Sequence, residues 1–220
     1  MSANLMSLAQ SGGKFLKLYG DRKMMKPLPY DAEVEYLEST GTQWIDTGVE
    51  PTQELAFNCS FAFEGITPEF GYGNVFGSRY SSTQREYQLT GFDNGSIGIG
   101  TRNSNLGFYS GVKHTVSFDG ANTVNINGVS RSITTSTCAP TTGSIVLFGI
   151  RQNGSVQQLS KAKIYALKFT INSTTLRDFI PVRLTNDNGK IEGAMYNKVS
   201  GQLFRNEGTG AFIIGPDKTI

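Results

Sequence analysis

Three carboxylates near the start of the chain have the types and spacing of a hydrolytic pair. Glu33, Glu35 and Glu38 lie within the stretch EVEYLE. Residues two apart on a strand share a face, and a retaining glycoside hydrolase needs two carboxyl groups about 5–5.5 Å apart. The stretch is also the first strand-like segment of the chain. We therefore interpret the three side chains as solvated carboxylates at the edge of a strand.

His114 is the only histidine, so any Ser-His-Asp triad would have to use it, and a zinc site with several histidines is excluded. We interpret it as a polar residue at the start of a hairpin strand. Cys59 falls on the apolar side of an alternating run and Cys138 in a loop-like segment. With about eighty residues between them they form no CxxC metal motif, and we expect both to remain free.

Two other patterns could suggest a bound group. The glycine-rich stretches GYGNVFG and GSIGIG do not precede a helical pattern, so we do not expect a phosphate-cradling loop. The loops DNG at 93–95 and NDNG at 186–189 offer oxygen ligands for calcium, but plain turns explain them equally well. The sequence therefore predicts no catalytic residue, no metal and no cofactor.

Composition narrows the class of protein. The chain has 220 residues, enough for one domain with an appendage, and 26 glycines against 7 prolines. Its net charge of +2 gives no reason to expect nucleic-acid binding. No window approaches ~18 consecutive apolar residues, so we expect no membrane span. The N-terminus lacks the features of a signal peptide, and we expect synthesis in a bacterial cytoplasm.

Short strand-like runs follow one another from residue 33 onward, separated by glycine and asparagine turns such as DNG, DGAN and RQNG. Such turns tolerate the positive φ that hairpins require. In LAFNCSFAF the apolar residues alternate strictly, which predicts that one face lies in a core. Within KHTVSFDGANTVNINGV, the alternation of apolar and polar residues predicts two strands joined by a turn at Asp119–Asn122. A second tight turn is predicted at the Asn-Gly pair. The predicted class is all-β, a sandwich or a barrel.

Several phrases together resemble one family: VEYLESTGTQWIDTGV (34–49), the HTVSFDG and TVNINGV hairpin, KIYALKFT, LRDFIPVR and GAMYNKVSGQLFRNEGTGAFIIG. They are similar to the concanavalin A-like, laminin-G-type jelly roll, in a form found in gut Bacteroidetes proteins and their crAss-like bacteriophages. The resemblance covers about residues 33–217. It implies an antiparallel two-sheet jelly-roll sandwich in which the last strands return beside the first.

The resemblance also bears on the three glutamates, because laminarinase-type glucanases share this fold and use the same i, i+2, i+5 spacing. Their middle member is Asp, whereas this chain has Glu35. Those enzymes carry the motif in a central concave strand, whereas EVEYLE matches the opening strand of the family. The comparison therefore favours a domain that is not an enzyme.

Sugar binding is the remaining function for the domain. Aromatic rings stack on the C–H faces of sugars, and arginines fix hydroxyl groups, although most aromatics in a sandwich belong to the core. The candidate residues lie in the first half of the chain. They are Trp44, Arg79, Tyr80, Tyr87 and Arg102. Trp44 precedes Ile45, and only one of these two neighbours can point into the core.

The first thirty residues differ from the rest. The segment before Pro27 and Pro29 is basic and partly apolar, and we predict an attachment arm at 1–30 and a jelly-roll domain at 31–220. The residues expected to hold the arm to a partner are Lys14, Phe15, Leu16, Lys17, Leu18, Tyr19 and Lys23.

These expectations combine into one hypothesis with one alternative. The hypothesis is that the chain is a non-enzymatic structural or adhesion protein of a bacteriophage virion, such as a fibre or a capsid decoration. It would be homo-oligomeric, joined to other virion proteins by its arm, and would bind a host surface glycan. The alternative is a glycan-binding or glucanase-like module of a gut bacterium.

Overall fold

The computed structural model describes residues 27–65, 73–81, 84–91, 94–138, 141 and 143–219. Within these ranges the regular structure is almost entirely β. The strands are β1 (Ala32–Glu33), β2 (Leu37–Glu38), β3 (Ile45–Asp46), β4 (Ala56–Gly65), β5 (Asn74–Ser81), β6 (Gln84–Thr90), β7 (Ser96–Asn103), β8 (Lys113–Phe118), β9 (Thr123–Ile126), β10 (Val129–Ser132), β11 (Val146–Leu147), β12 (Ile150–Gln152), β13 (Ser155–Gln157), β14 (Lys161–Ile171), β15 (Thr174–Thr185), β16 (Ile191–Asn197), β17 (Gln202–Phe204) and β18 (Ile213–Ile214).

The strands form two sheets, as the turn-rich sequence predicts. The larger sheet has the order β10-β9-β8-β4-β14-β15-β16-β17, with β1 beside β15, β2 beside β14 and β18 beside β2. In the smaller sheet β5 is central, with β6 and then β7 on one side. On its other side lie β11 and β12, which are followed outward by β3 and β13. The prediction of an all-β, two-sheet sandwich is confirmed.

One strand pair departs from the predicted antiparallel arrangement. β11 and β12 follow each other along the same edge of β5, but β11 pairs antiparallel and β12 parallel to it. The chain reverses between them at Phe148, whose φ of 64° lies in the left-handed region. All other pairs between named strands are antiparallel, so the expectation of two antiparallel sheets holds except at this position.

The core lies between the sheets and follows from period-two alternation in β4. Leu55, Phe57, Cys59, Phe61 and Phe63 are all at most 3% exposed. From the smaller sheet, Phe76 meets Phe57 edge to face at 5.1 Å between ring centroids. Each fully buried side chain of this size contributes about 1.5–3 kcal/mol, which makes this face the main source of stability.

The end of the chain pairs with its beginning, as the resemblance implies. In β18, Ile213 and Ile214 lie opposite Glu38 and Leu37 of β2. Three residue pairs further along, Val34 bridges to Asp217. The closing segment therefore completes the larger sheet, and its Gly-rich turns serve strand reversal.

The predicted hairpins are also present. β8 pairs with β9, and β9 with β10. The tight turn into β10 is made by Asn127 and Gly128, with φ of 52° and 89°. Positive φ at both central residues is the geometry for which Asn-Gly is favoured in two-residue hairpins.

Tyr30, the last residue of the predicted arm, contacts the domain. Its ring lies edge-on to Tyr196 at 4.9 Å, and the next residue, Asp31, donates its N–H to Arg183 O at 2.8 Å. Residues 1–26, which include all seven predicted attachment residues of the arm, lie outside the described residues.

Candidate ligand-binding face of the smaller sheet

The outer face of the smaller sheet carries a polar side-chain network. Because residues directly opposite each other share a face, Gly77, Gln88 and Gly98 form one row across β5, β6 and β7. The neighbouring row across the same three strands consists of Arg79, Glu86 and Gly100. The intervening residues of β6, Tyr87 and Leu89, point into the core. Alternation in β6 therefore separates a charged outer face from an apolar inner face.

Glu86 is the centre of this network. Its two carboxylate oxygens accept hydrogen bonds from Arg102, at 3.1 Å from Nε and 2.7 Å from Nη2. The glutamate side chain is only 3% exposed, whereas that of Arg102 is 27% exposed. A bidentate pair of this kind fixes the guanidinium plane as well as its position. Glu86 thus anchors an arginine whose outer part reaches the surface.

Gln88 extends the network from the neighbouring outward position of β6. Its Nε2 donates to Glu86 Oε2 at 2.8 Å, which orients the amide. Its Oε1 then faces away, and it is buried without a hydrogen-bond partner among the described residues. An unsatisfied buried acceptor costs about 1–3 kcal/mol.

Glycines opposite β6 make room for these side chains. A Cβ added to Gly98 would lie 2.6 Å from Glu86 Oε2 and 2.8 Å from its Cβ. A Cβ on Gly77 would lie 3.0 Å from both Gln88 Cβ and Ile150 Cγ1. The long polar side chains thus lie flat across glycine backbone, which a β-branched residue would prevent.

Arg79 and Gln152 form the second part of the face. Arg79 Nε donates to Gln152 Oε1 at 2.7 Å, across the parallel pairing of β5 and β12. Arg79 is 4% exposed and Gln152 is half-buried. Since Glu86 lies opposite Arg79, the two predicted arginines, Arg79 and Arg102, lie on either side of one carboxylate.

The predicted aromatic residues are not part of this network. Tyr80 follows Arg79 in β5 and is 47% exposed, with the guanidinium of Arg85 5.1 Å from its ring centroid. Trp44 is half-buried beside β3, which β11 separates from β5. The guanidinium of Arg151 lies 5.8 Å from the centroid of its ring. Ile45 takes the core position next to Trp44.

The prediction of Tyr87 as a sugar-stacking residue is wrong. Its side chain is fully buried in the core, and its hydroxyl donates to Leu55 O. Burial raises its pKa well above the ordinary value, and Cys138 contributes to the rise. The ring offers no face to a ligand because alternation in β6 directs it inward, opposite to Glu86 and Gln88.

The three N-terminal glutamates have separate environments. Glu33 accepts a hydrogen bond from Tyr30 Oη at 3.3 Å, and burial raises the pKa of that tyrosine to about 12, with help from Glu33. Glu38 lies 3.7 Å from Lys163. Glu35 is exposed and lines a depression on the larger sheet.

His114 is a core-edge residue. Its Nε2 lies 3.0 Å from the backbone N of Tyr109, and its Nδ1 lies 3.1 Å from Asn127 Nδ2. The ring packs against Phe61 and Phe108. Both ring nitrogens thus contact backbone or amide groups, where a hydrolase triad has a serine and an acid.

The cysteines are separate, buried thiols. Cys59 and Cys138 are both free. Burial raises the pKa of Cys59 far above its ordinary value, and it raises that of Cys138 to about 11. Among the described residues, no three His, Cys, Asp or Glu side chains are close enough to share a metal ion.

Glu86, Gln88 and Gln152 were missed by the sequence reasoning. A pattern for two of them is present, because REYQLT alternates polar residues with Tyr87 and Leu89, and SIGIG alternates glycine with isoleucine. Their pairing in one sheet, with glycine opposite each polar residue, required the register. Nothing local to the sequence places Gln152 beside Arg79.

Comparison with known proteins adds no family: no family model matches the chain, and no curated protein matches its sequence. Within the described part of the chain, no helix has the length and apolar character needed to cross a membrane.

Proposed function

We propose that this chain is a non-enzymatic adhesion or structural protein of a bacteriophage virion, whose jelly-roll domain binds a host surface glycan. The glycan contacts the outer face of the smaller sheet. The jelly-roll connectivity belongs to the proposal, as does the attachment arm at residues 1–30. The alternative function is a glycan-binding or glucanase-like module of a gut bacterium.

The observation that carries the binding proposal is the bidentate Glu86–Arg102 pair. It fixes the position of an arginine whose side chain is 27% exposed. A positioned arginine donates paired hydrogen bonds to vicinal sugar hydroxyls without losing side-chain entropy on binding. Gln152, held by Arg79, supplies a second polar group on the same face. Preorganised polar groups of this kind provide specificity in ligand sites.

Binding is tested with an oligosaccharide array probed with the full chain, followed by titration of the strongest hit. Arg102→Met should weaken binding by about tenfold, which corresponds to the loss of one charge-assisted hydrogen bond. Arg205→Met is the matched control, because Arg205 pairs at 2.7 Å with Glu192 of β16, which lies in the larger sheet. Equal affinity of the Arg102 variant and the wild type would refute this site.

The absence of catalysis is a separate part of the proposal. Glu86 is held by Arg102 and Gln88, which suits a structural anion better than a general base. Incubation with laminarin and mixed-linkage glucans should release no reducing sugar. Turnover that Glu33→Gln or Glu38→Gln abolishes would favour the glucanase-like alternative.

The virion role rests on the composition of residues 1–30 and on the family resemblance. Removing residues 1–26 leaves Tyr30 in place against Tyr196. The truncated protein should keep its melting temperature and lose incorporation into particles or oligomers. If it failed to fold, the arm would be part of the sandwich and the proposed boundary would be wrong.

A further inference from the structure

The outer face of the larger sheet contains a depression of about 420 Å³. This volume is within the range of small-molecule sites. The face belongs to the other sheet of the sandwich, apart from the network around Glu86. Its lining residues come from five separate parts of the chain and are Glu35, Ser60, Lys113, Tyr165, Ala166 and Lys218.

A β-bulge in β14 builds one wall. Ile164 lies opposite Phe61 and Ala166 opposite Ser60, so Tyr165 is an extra residue without a partner in β4. Ile164 and Leu167 are buried, and the two residues between them, Tyr165 and Ala166, lie on the outer side. A bulge of this kind redirects a side chain. Here it adds a large ring to a face whose neighbouring positions are small.

The floor is low because Ser60 and Ala166 oppose each other across β4 and β14. Ser60 also lies opposite Thr115 of β8. The short side chains leave the sheet surface open between the walls, and the hydroxyl of Ser60 supplies a polar group at the bottom.

Tyr165 positions a cation. Lys113 Nζ lies 4.0 Å from the centroid of its ring, which is the geometry of a cation–π contact. Tyr36 braces the other side of the ring, edge to face at 5.5 Å. Lys163, the next cation along β14, already donates to Glu64 at 2.8 Å.

The opposite wall comes from the end of the chain. Glu35 N donates to Pro216 O, and Lys218 N donates to Glu33 O, both at 2.9 Å. This pairing brings the side chains of Glu35 and Lys218 to the same rim. The depression therefore has one carboxylate and two ammonium groups.

Among the described residues, neither ammonium group is in contact with a carboxylate. Within the described ranges, no carboxylate lies within 4.0 Å of Lys113 or Lys218. Lys163 contrasts with them, because it has both Glu38 and Glu64 within that distance. The depression thus holds an excess of positive charge beside a hydroxyl and a carboxylate acceptor.

We propose that this depression binds an acidic saccharide, with the sugar carboxylate between Lys113 and Lys218. Glu35 and Ser60 accept hydrogen bonds from the sugar hydroxyls. The carboxylate of Glu35 requires a ligand with donors as well as negative charge, which a uronic acid supplies and a simple anion does not. The site is independent of the face around Glu86.

A sugar fits this place better than an acidic peptide. Peptides gain affinity by adding a strand at a sheet edge, but the depression lies over the middle of a sheet. There the backbone of β4 is already paired with β8 on one side and with β14 on the other. A peptide would find side-chain contacts only.

The test is calorimetric titration of the full chain with trigalacturonate, beside neutral galactotriose and hexaglutamate. Trigalacturonate should bind, with an affinity that falls as salt is added. Lys113→Gln and Lys218→Gln should each weaken it by about tenfold, the loss expected for one charge-assisted contact. Lys113→Arg, which keeps the charge, should retain most of the affinity and serves if the glutamine variant is unstable.

Two control variants locate the site. Lys198→Gln removes a lysine that pairs with Asp178 elsewhere on the same sheet, and it should bind like the wild type. Arg102→Met should also bind trigalacturonate normally, which separates this site from the proposed glycan face. No binding of trigalacturonate, equal binding of galactotriose or hexaglutamate, or equal loss in Lys198→Gln would overturn the proposal.

Discussion

The two outer faces of the sandwich use charge in opposite ways. On the smaller sheet, Glu86 and Arg102 satisfy each other, and glycines opposite β6 let the side chains lie flat. On the larger sheet, a bulge places Tyr165 beside small neighbours. Lys113 and Lys218, which line the depression with it, have no carboxylate within 4.0 Å among the described residues. The first face is a pre-paired polar surface, and the second is a recess with unneutralised charge.

The two faces show two ways in which the outer surface of a sheet can be shaped into a binding site. Removing side chains, as at Gly98 and Gly77, allows long residues to pack along the sheet and to become buried. Adding one residue, as at Tyr165, interrupts the alternation and places a large side chain at the edge of a depression. Breaking an ion pair also has different effects on stability in the two settings. Loss of one partner of a buried ion pair lowers the free energy of unfolding by several kcal/mol, whereas loss of an exposed pair lowers it by about 1 kcal/mol or less.

The largest effect should come from Glu86→Ala. It leaves Arg102 without its carboxylate and removes the acceptor for Gln88 Nε2, at a cost of about 3 kcal/mol in the free energy of unfolding. Urea denaturation measures this. Asp178→Ala, which breaks the exposed pair with Lys198, should cost less than about 1 kcal/mol. Similar losses in the two variants would remove the distinction between the faces.

Gly98→Ala should give the second largest effect, a loss of about 1–3 kcal/mol in the free energy of unfolding caused by overpacking. The new methyl group would meet Glu86 and displace it from Arg102. Gly73→Ala is the control, because its Cβ would come no closer than 3.3 Å to Phe63. Thermal melting of both variants shows which substitution lowers the melting temperature more. An unchanged melting temperature for Gly98→Ala would mean that the network around Glu86 rearranges without a loss of stability.

Tyr87→Phe tests the corrected position of that ring. It removes the hydrogen bond to Leu55 O and leaves that carbonyl unpaired, which should cost about 1–2 kcal/mol. Glycan binding should not change, because the ring is on the inner side. Loss of binding at unchanged stability would restore Tyr87 as a ligand contact.

The smallest effect concerns Lys163 on the larger sheet. Its hydrogen bond to Glu64 raises its pKa above 10.5, although burial acts to lower it. A raised pKa means that the stabilisation is complete below the pKa of unfolded lysine and is lost as the pH rises through the folded value. Lys163→Met should therefore cost less than about 1 kcal/mol at pH 8.

The difference in stability between Lys163→Met and the wild type should shrink as the pH rises through the raised pKa of Lys163. Denaturation at a series of alkaline pH values measures this. A difference that grows with pH would contradict the sign of this shift.

Much of the fold was predictable because it depends on local patterns. Alternation in LAFNCSFAF fixed which side of β4 is buried, and Asn127-Gly128 could be recognised from its turn chemistry. The sites were less accessible to sequence reasoning. Arg79 and Arg102 were identified by residue type, but Tyr87 was misplaced, since an aromatic residue in a strand can face either way until its register is known.

Local patterns in the sequence predicted the class of fold and the two hairpin turns, because period-two alternation and positive-φ turns are local properties. The return of the last strand to the first was implied by the family resemblance, since local patterns do not contain a long-range pairing. The tertiary structure decided which polar residues meet. Glu86 reaches Arg102 only through the pairing of β6 with β7, and Lys113 reaches Tyr165 only through a bulge in β14. Register and bulges are set by long-range pairing, and short windows of sequence do not contain them.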